Sequence, residues 1–149
     1  MTSRSKPRSG GFTLLELVIV LLIVALGAGL TLMSLGNTKG REELRSEAVG
    51  VYTELRHLHE RSLMERTPFA LVANAENGLS YSVLKNGKPS GAPHVLRAGL
   101  KVGGGPVVFY AKGNAAGPPF TVTDTKGRGY AIEVDSVTGA ATIKRLQPS

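Results

Sequence analysis

Residues 12–35 read Phe12-Thr13-Leu14-Leu15-Glu16-Leu17-Val18-Ile19-Val20-Leu21-Leu22-Ile23-Val24-Ala25-Leu26-Gly27-Ala28-Gly29-Leu30-Thr31-Leu32-Met33-Ser34-Leu35, a run with a single charge, Glu16. As a helix rising 1.5 Å per residue the run reaches roughly 36 Å, which spans a bilayer with some tilt. Arg4, Lys6 and Arg8 precede it, with no acid among residues 1–11, and no basic residue follows until Lys39. The positive-inside rule therefore expects residues 1–11 in the cytoplasm and everything after Asn37 across the membrane.

An ordinary signal anchor, a cleaved secretory signal and an anchor cut at its cytoplasmic end all begin this way. A secretory signal has an apolar stretch of roughly 7 to 15 residues with a small-x-small site at its far end, which Ala25 and Gly27 mimic, but the run here is too long. Glu16 separates the other two. A carboxylate inside an apolar helix costs roughly 2.5 to 3.5 kcal/mol on insertion scales, and an ordinary anchor has no use for it. A cut between Gly11 and Phe12 places a new α-amino group four residues before Glu16, on the same helix face and at the positive end of the helix dipole.

Gly11-Phe12-Thr13-Leu14-Leu15-Glu16 resembles the cleavage and methylation signature of type IV pilins and type II secretion pseudopilins: glycine before the cut, phenylalanine after it, glutamate fifth in the mature chain. The resemblance implies that a prepilin peptidase/methyltransferase cuts after Gly11 and methylates the amine of Phe12. It also implies that Glu16 pairs with the N-terminus of an adjacent subunit and sets the axial register. The implied organisation is a basic leader over 1–11, a transmembrane helix over 12–35, its amphipathic continuation over 36–66 and a β-rich periplasmic head over 67–149.

The residues after Asn37 support that plan independently. Leu44, Ala48, Val51, Leu55 and Leu58 are spaced four, three, four and three apart, which predicts an amphipathic helix through about Arg66. Its polar face balances six basic against six acidic residues and reads as a solvated surface. Thr67-Pro68 ends it, because proline removes a donor and biases the preceding residue toward extended backbone. Gly27, Gly29 and Gly36 lower helix stability before it and permit close helix approach.

Beyond Pro68 the period is two. Strands are expected at Phe69–Val72, Leu79–Leu84, Val95–Leu100, Val107–Tyr110, Phe120–Thr123, Tyr130–Val134 and Ala141–Lys144. Asn77-Gly78, Asn86-Gly87 and Lys126-Gly127 supply turns, and Asp135 to Gly139 closes a terminal hairpin. The fold class expected is α+β and pilin-like: a long N-terminal helix packed on an antiparallel sheet whose inner face covers Leu44 to Leu58. Gly103-Gly104-Gly105-Pro106 and Gly113 to Pro119 are expected as exposed loops.

Composition narrows the function. The formal charge is +7, and setting the three N-terminal cations aside leaves fifteen basic against eleven acidic residues, without the basic patch interleaved with aromatics that a nucleic-acid binder shows. No nucleic-acid partner is expected. Without cysteine there is neither a disulfide framework nor a thiolate metal site. His57 and His59, two apart on a helix, diverge and cannot share a metal. His94 has no ligand pattern beside it, and Glu133 and Asp135 share a strand face without a dense oxygen-ligand loop for calcium. No nucleophile elbow, phosphate loop or dinucleotide fingerprint occurs, so neither a catalytic residue, a metal nor a cofactor is expected.

Gly129 to Gly139, followed by Thr142-Ile143-Lys144-Arg145, resembles the closing hairpin of the minor pseudopilin H group and the related minor type IV pilins. The resemblance implies a minor pseudopilin of a type II secretion system, near the tip of a periplasmic pseudopilus that exports folded proteins. Its implied partners are other minor and major pseudopilins, the inner-membrane secretion platform and inner-membrane lipid. A minor pilin of a type IV pilus or competence system is the alternative. A membrane-anchored periplasmic enzyme is disfavoured by the missing catalytic constellation.

Overall fold

The computed structural model describes residues 13–147, with side chains described for 13–26 and 39–147. Two compact units divide the chain, Met1–Lys39 and Gly40–Ser149, and helix α1, Leu14–Glu65, contributes to both.

In the second unit the helical stripe is where its spacing places it. Leu44, Ala48, Val51, Leu55 and Leu58 are each 3% exposed or less. Ser62 continues the stripe one turn further and is also fully buried. Its hydroxyl donates to the His59 carbonyl at 2.7 Å, so a polar group tolerated at a core position is satisfied within its own helix. The helix stops at Glu65, one residue before the expected end, because Arg66 adopts a left-handed φ of 49°. The Thr67 hydroxyl donates to the Glu65 carbonyl at 3.0 Å, and Pro68 prevents continuation.

Ten short strands follow: β1 Phe69–Ala73, β2 Ser80–Lys85, β3 Lys88–Pro89, β4 His94–Val95, β5 Leu100–Gly103, β6 Val107–Phe109, β7 Ala115–Ala116, β8 Phe120–Asp124, β9 Gly129–Val134 and β10 Ala141–Leu146. They form two antiparallel sheets: β3-β2-β1-β6-β7, with β4 also paired to β2, and β10-β9-β8-β5. Alternation brings Phe69 and Leu71 of β1, Phe120 and Val122 of β8, and Ile132 of β9 into one core with the helical stripe.

The turns form where their chemistry predicts. Asn86 and Gly87, with φ of 50° and 77°, make the two-residue connection inside the Lys85–Lys88 pair, the conformation a right-twisted hairpin requires. Asp135 organises the last hairpin: its Oδ1 accepts from the Val137 N–H at 3.0 Å and from the Thr138 N–H and hydroxyl at 2.7 and 2.9 Å. These bonds hold its carboxyl below the usual carboxylate range.

Three expectations are corrected. The single sheet is two sheets. The strand expected at Val95–Leu100 is broken: His94 and Val95 belong to the first sheet and Leu100 opens β5 of the second, with Gly99 at φ 83° in the crossing. The two glycine–proline runs are mostly exposed, as expected, but they are not wholly loop: they contain β7 and the end of β5. Their backbones interlock: a Cβ on Gly104 (φ 77°) would sit 2.0 Å from the Pro119 carbonyl oxygen, and one on Gly117 (φ 139°) 2.2 Å from that of Pro106. Only glycine permits this approach at either point.

The polar helical face is also more than solvated surface. Arg61 stacks its guanidinium 4.5 Å above the Phe69 ring and bonds Glu65 at 3.0 Å, while Lys85 of β2 bonds the other oxygen of Glu65. The hydrogen bonds from Lys85 and Arg61 keep the Glu65 carboxyl below its ordinary pKa. This group ties the helix end to the first sheet.

Candidate assembly site

Thr13 precedes α1, and its hydroxyl oxygen accepts from the Glu16 N–H at 3.2 Å while its carbonyl accepts from the Leu17 N–H at 3.2 Å. Thr13 is thus the N-cap and Glu16 the third helical residue, the Thr-x-x-Glu spacing of a capping box. Glu16 occupies the first turn, where exposed N–H groups and the helix dipole favour an anion. The other residues of the expected signature, Gly11 and Phe12, lie outside the described residues, as do the leader and the side-chain surroundings of Gly27, Gly29 and Gly36.

From Leu14 to Leu26 eleven large apolar side chains are between 48% and 84% exposed. Burial of each contributes roughly 1.5 to 3 kcal/mol. Left in water, they would forgo an amount comparable with the whole stability of an ordinary domain. Among the described residues no helix is long and apolar enough to cross a membrane; the run expected to span, 12–35, falls only in part within them.

Of the remaining polar candidates of the sequence, His57 is exposed on α1, whereas His59, His94, Glu133 and Asp135 are engaged in structure. His59 Nε2 lies 3.0 Å from the Gly113 carbonyl, which places its proton on that nitrogen, and its ring tilts against Phe109 with centroids 5.6 Å apart. His94 Nε2 meets Glu47 Oε1 at 2.7 Å and stacks on Tyr81 with centroids 4.8 Å apart. Burial, with Glu54 and Glu47 nearby, pushes the Tyr81 hydroxyl up to about 12. Glu133 pairs with Lys144 across the last hairpin at 2.6 Å, and Asp135 is the turn cap described above. Among the described residues no group of histidine and carboxylate side chains could hold a metal ion.

One cluster was not anticipated. Arg41 and Arg45 of α1, Arg128 in the turn before β9 and Arg145 of β10 line one cleft of about 190 Å³, with Glu42, Leu44 and Tyr130. Arg128 is held by Asp124, whose Oδ2 accepts from Nε at 2.7 Å and from Nη2 at 2.6 Å. Burial opposes ionisation of Asp124, but the Arg128 guanidinium and the N–H groups of Arg128 and Lys126 outweigh it and hold the carboxyl below its ordinary pKa. The i, i+4 spacing of Arg41 and Arg45 was the sole local signal for this cluster, since the other two arginines lie far along the chain.

The chain is similar to known proteins at two levels. Residues 6–32 match the family model for the prokaryotic N-terminal methylation motif. The fold is similar to the type IV minor pilin FimU of Pseudomonas aeruginosa, at 18% identity and a TM-score of 0.57 over 72% of this chain and 96% of that one. It is similar also to the minor pseudopilin EpsH from the type 2 secretion system of Vibrio cholerae, at 13% identity and a TM-score of 0.55 over 72% of this chain and 98% of that one. No curated protein matches the sequence.

Proposed function

We propose that this chain, type IV pilin-like by its fold and its N-terminal methylation motif, is a minor pseudopilin that assembles at or near the tip of a type II secretion pseudopilus. The observation that carries the assembly role is the exposed apolar turn-by-turn surface of Leu14 to Leu26 with one acid, Glu16, in its first turn. Such a surface needs lipid before assembly and neighbouring helices after it. In this reading a prepilin peptidase/methyltransferase cuts between Gly11 and Phe12 and methylates Phe12. Residues 12–35 then anchor the chain once through the inner membrane, with the second unit in the periplasm.

Support for the secretion assignment comes from the Gly129–Arg145 resemblance and the likeness to EpsH; the likeness to FimU supports a second reading, a minor pilin of a type IV pilus. Mass spectrometry of the membrane-extracted protein tests the shared part: loss of residues 1–11 with one added methyl on Phe12 is expected, and an intact leader overturns both readings. Deletion then separates them, since a secretion subunit halts export of folded proteins and leaves pili intact, whereas a pilus subunit does the reverse.

A further inference from the structure

We infer that the arginine cleft of the second unit is a binding site for the phosphate of an anionic phospholipid headgroup, an inference that rests on the membrane anchoring proposed above. Arg41, Arg45 and Arg145 have no carboxylate partner among the described residues, although Glu42 stands at the same cleft. Arg128 is already fixed by Asp124, so its guanidinium needs no reorganisation to present its remaining donors. Glu42 and Asp124 together offset two of the four positive charges, and the cleft stays cationic.

The geometry suits a phosphate group. Guanidinium groups offer planar paired donors that match phosphate oxygens, and here they come from a helix and a sheet held rigidly by one core. A cleft of about 190 Å³ has room for a headgroup phosphate. Tyr130, paired in register with Arg145, adds an amphipathic wall of the kind favoured at membrane–water boundaries.

Chain connectivity selects lipid over a free anion. Arg41 stands six residues after Leu35, the end of the apolar run, and six residues reach at most roughly 20 Å however they are arranged. The polar headgroup layer adds several Å to each face of the hydrocarbon core, and its field extends about a further 8 Å at physiological salt. The cleft is therefore tethered within reach of headgroups at a high effective concentration, which a dissolved phosphate lacks.

The test uses the full chain in nanodiscs of phosphatidylcholine with or without phosphatidylglycerol, and native mass spectrometry of the protein after release. Wild type should retain phosphatidylglycerol over phosphatidylcholine. Each arginine near an anionic surface contributes roughly fivefold, so Arg41→Gln/Arg45→Gln/Arg145→Gln should reduce that preference about a hundredfold. Lys88→Gln/Lys101→Gln/Lys112→Gln removes equal charge elsewhere on the second unit and should leave it nearly intact; equal losses in the two triples overturn the site in favour of net charge. Arg145→Gln alone, about fivefold weaker, serves if the triple variant does not fold. Inorganic phosphate binding as tightly as phosphatidylglycerol overturns the lipid assignment, and so does loss of a co-purifying subunit in the triple variant with lipid preference unchanged. Failure of the chain to enter nanodiscs at all refutes the anchor, a distinct result from entry without headgroup preference.

Discussion

Gly104→Ala probes the interlocked loops directly. A methyl group at this position would lie 2.0 Å from the Pro119 carbonyl oxygen, 3.1 Å from its carbonyl carbon and 3.4 Å from the Phe120 α-carbon. Carbon–oxygen contacts settle near 3.3 Å, so the β8 entrance must retreat by about 1 Å, and the atoms in the way are backbone rather than a side-chain tip. Overpacking of this kind costs roughly 1 to 3 kcal/mol, and the left-handed φ of 77° adds roughly 1 to 2 for a residue with a Cβ. The sum, about 2 to 5 kcal/mol, is a large part of the stability of a small domain. Gly91→Ala isolates the conformational share, because Gly91 has φ 96° and no atom within 4 Å of its added methyl. Urea unfolding of the full chain in nonionic detergent, followed by tyrosine near-ultraviolet circular dichroism, measures both. The Gly104 variant should lose at least about 1 kcal/mol more than the Gly91 variant. Equal losses would mean that the runs are tolerant surface insertions after all.

The same unfolding assay should separate Leu55→Ala, at a fully buried position, from Val49→Ala, 46% exposed on the same helix: about 2 to 5 kcal/mol against less than about 1, and comparable values would contradict the packing of the stripe. Glu65, Asp124 and Asp135 all have folded-state pKa values below their ordinary ones, so their stabilisation is present at neutral pH and lost as pH falls through those lowered values. Unfolding midpoints should therefore drop below about pH 4, and the Asp124→Asn/Asp135→Asn variant should show a shallower acid loss; an unchanged slope would assign the acid sensitivity elsewhere. Glu16→Ala should be cleaved normally yet enter filaments poorly, scored by cross-linking to neighbouring subunits and immunoblot, and normal incorporation would remove its proposed pairing role. Gly11→Arg should accumulate as the uncut precursor on the same blots, with efficient cutting showing that the junction lies elsewhere.

What could be read from the sequence was what a short window contains. The stripe from Leu44 to Leu58 is visible because burial on one helical face imposes a three-four spacing. The Asn86-Gly87 and Asp135–Gly139 turns are visible because positive φ and side-chain capping demand particular residues. Alternation in β1, β8 and β9 reveals which residues face inward, but a period of two carries no information about the neighbouring strand. The partition into two sheets was hidden for that reason, and the crossing at Gly99 with it. Glycine-rich runs look like loops whether they face solvent or receive another backbone, so the contact of Gly104 with Pro119 had no local signature. The arginine cleft joins positions 41 and 145, a separation only folding can close.

The Thr13–Glu16 geometry bears on why a single acid can serve both stages of the proposed life of the chain. Before assembly the carboxylate lies in the first helical turn, where the dipole stabilises an anion by roughly 0.3 to 1 kcal/mol. Insertion of an acid deep in an apolar helix costs roughly 2.5 to 3.5 kcal/mol, and a position near one end of the run costs less than that. The helix end alone therefore offsets only part of the penalty, and the remainder stays until a cation comes close. In the proposed assembly the cut Phe12 amine of an adjacent subunit is such a cation, and in a low-dielectric layer its attraction to the carboxylate is several times stronger than in water. On that proposal the monomer is tolerated in the membrane and the packed state is favoured. A glutamate several turns further along the helix would lose the dipole term and lie deeper in the apolar run, so the first turn is where the acid costs least before it is paired.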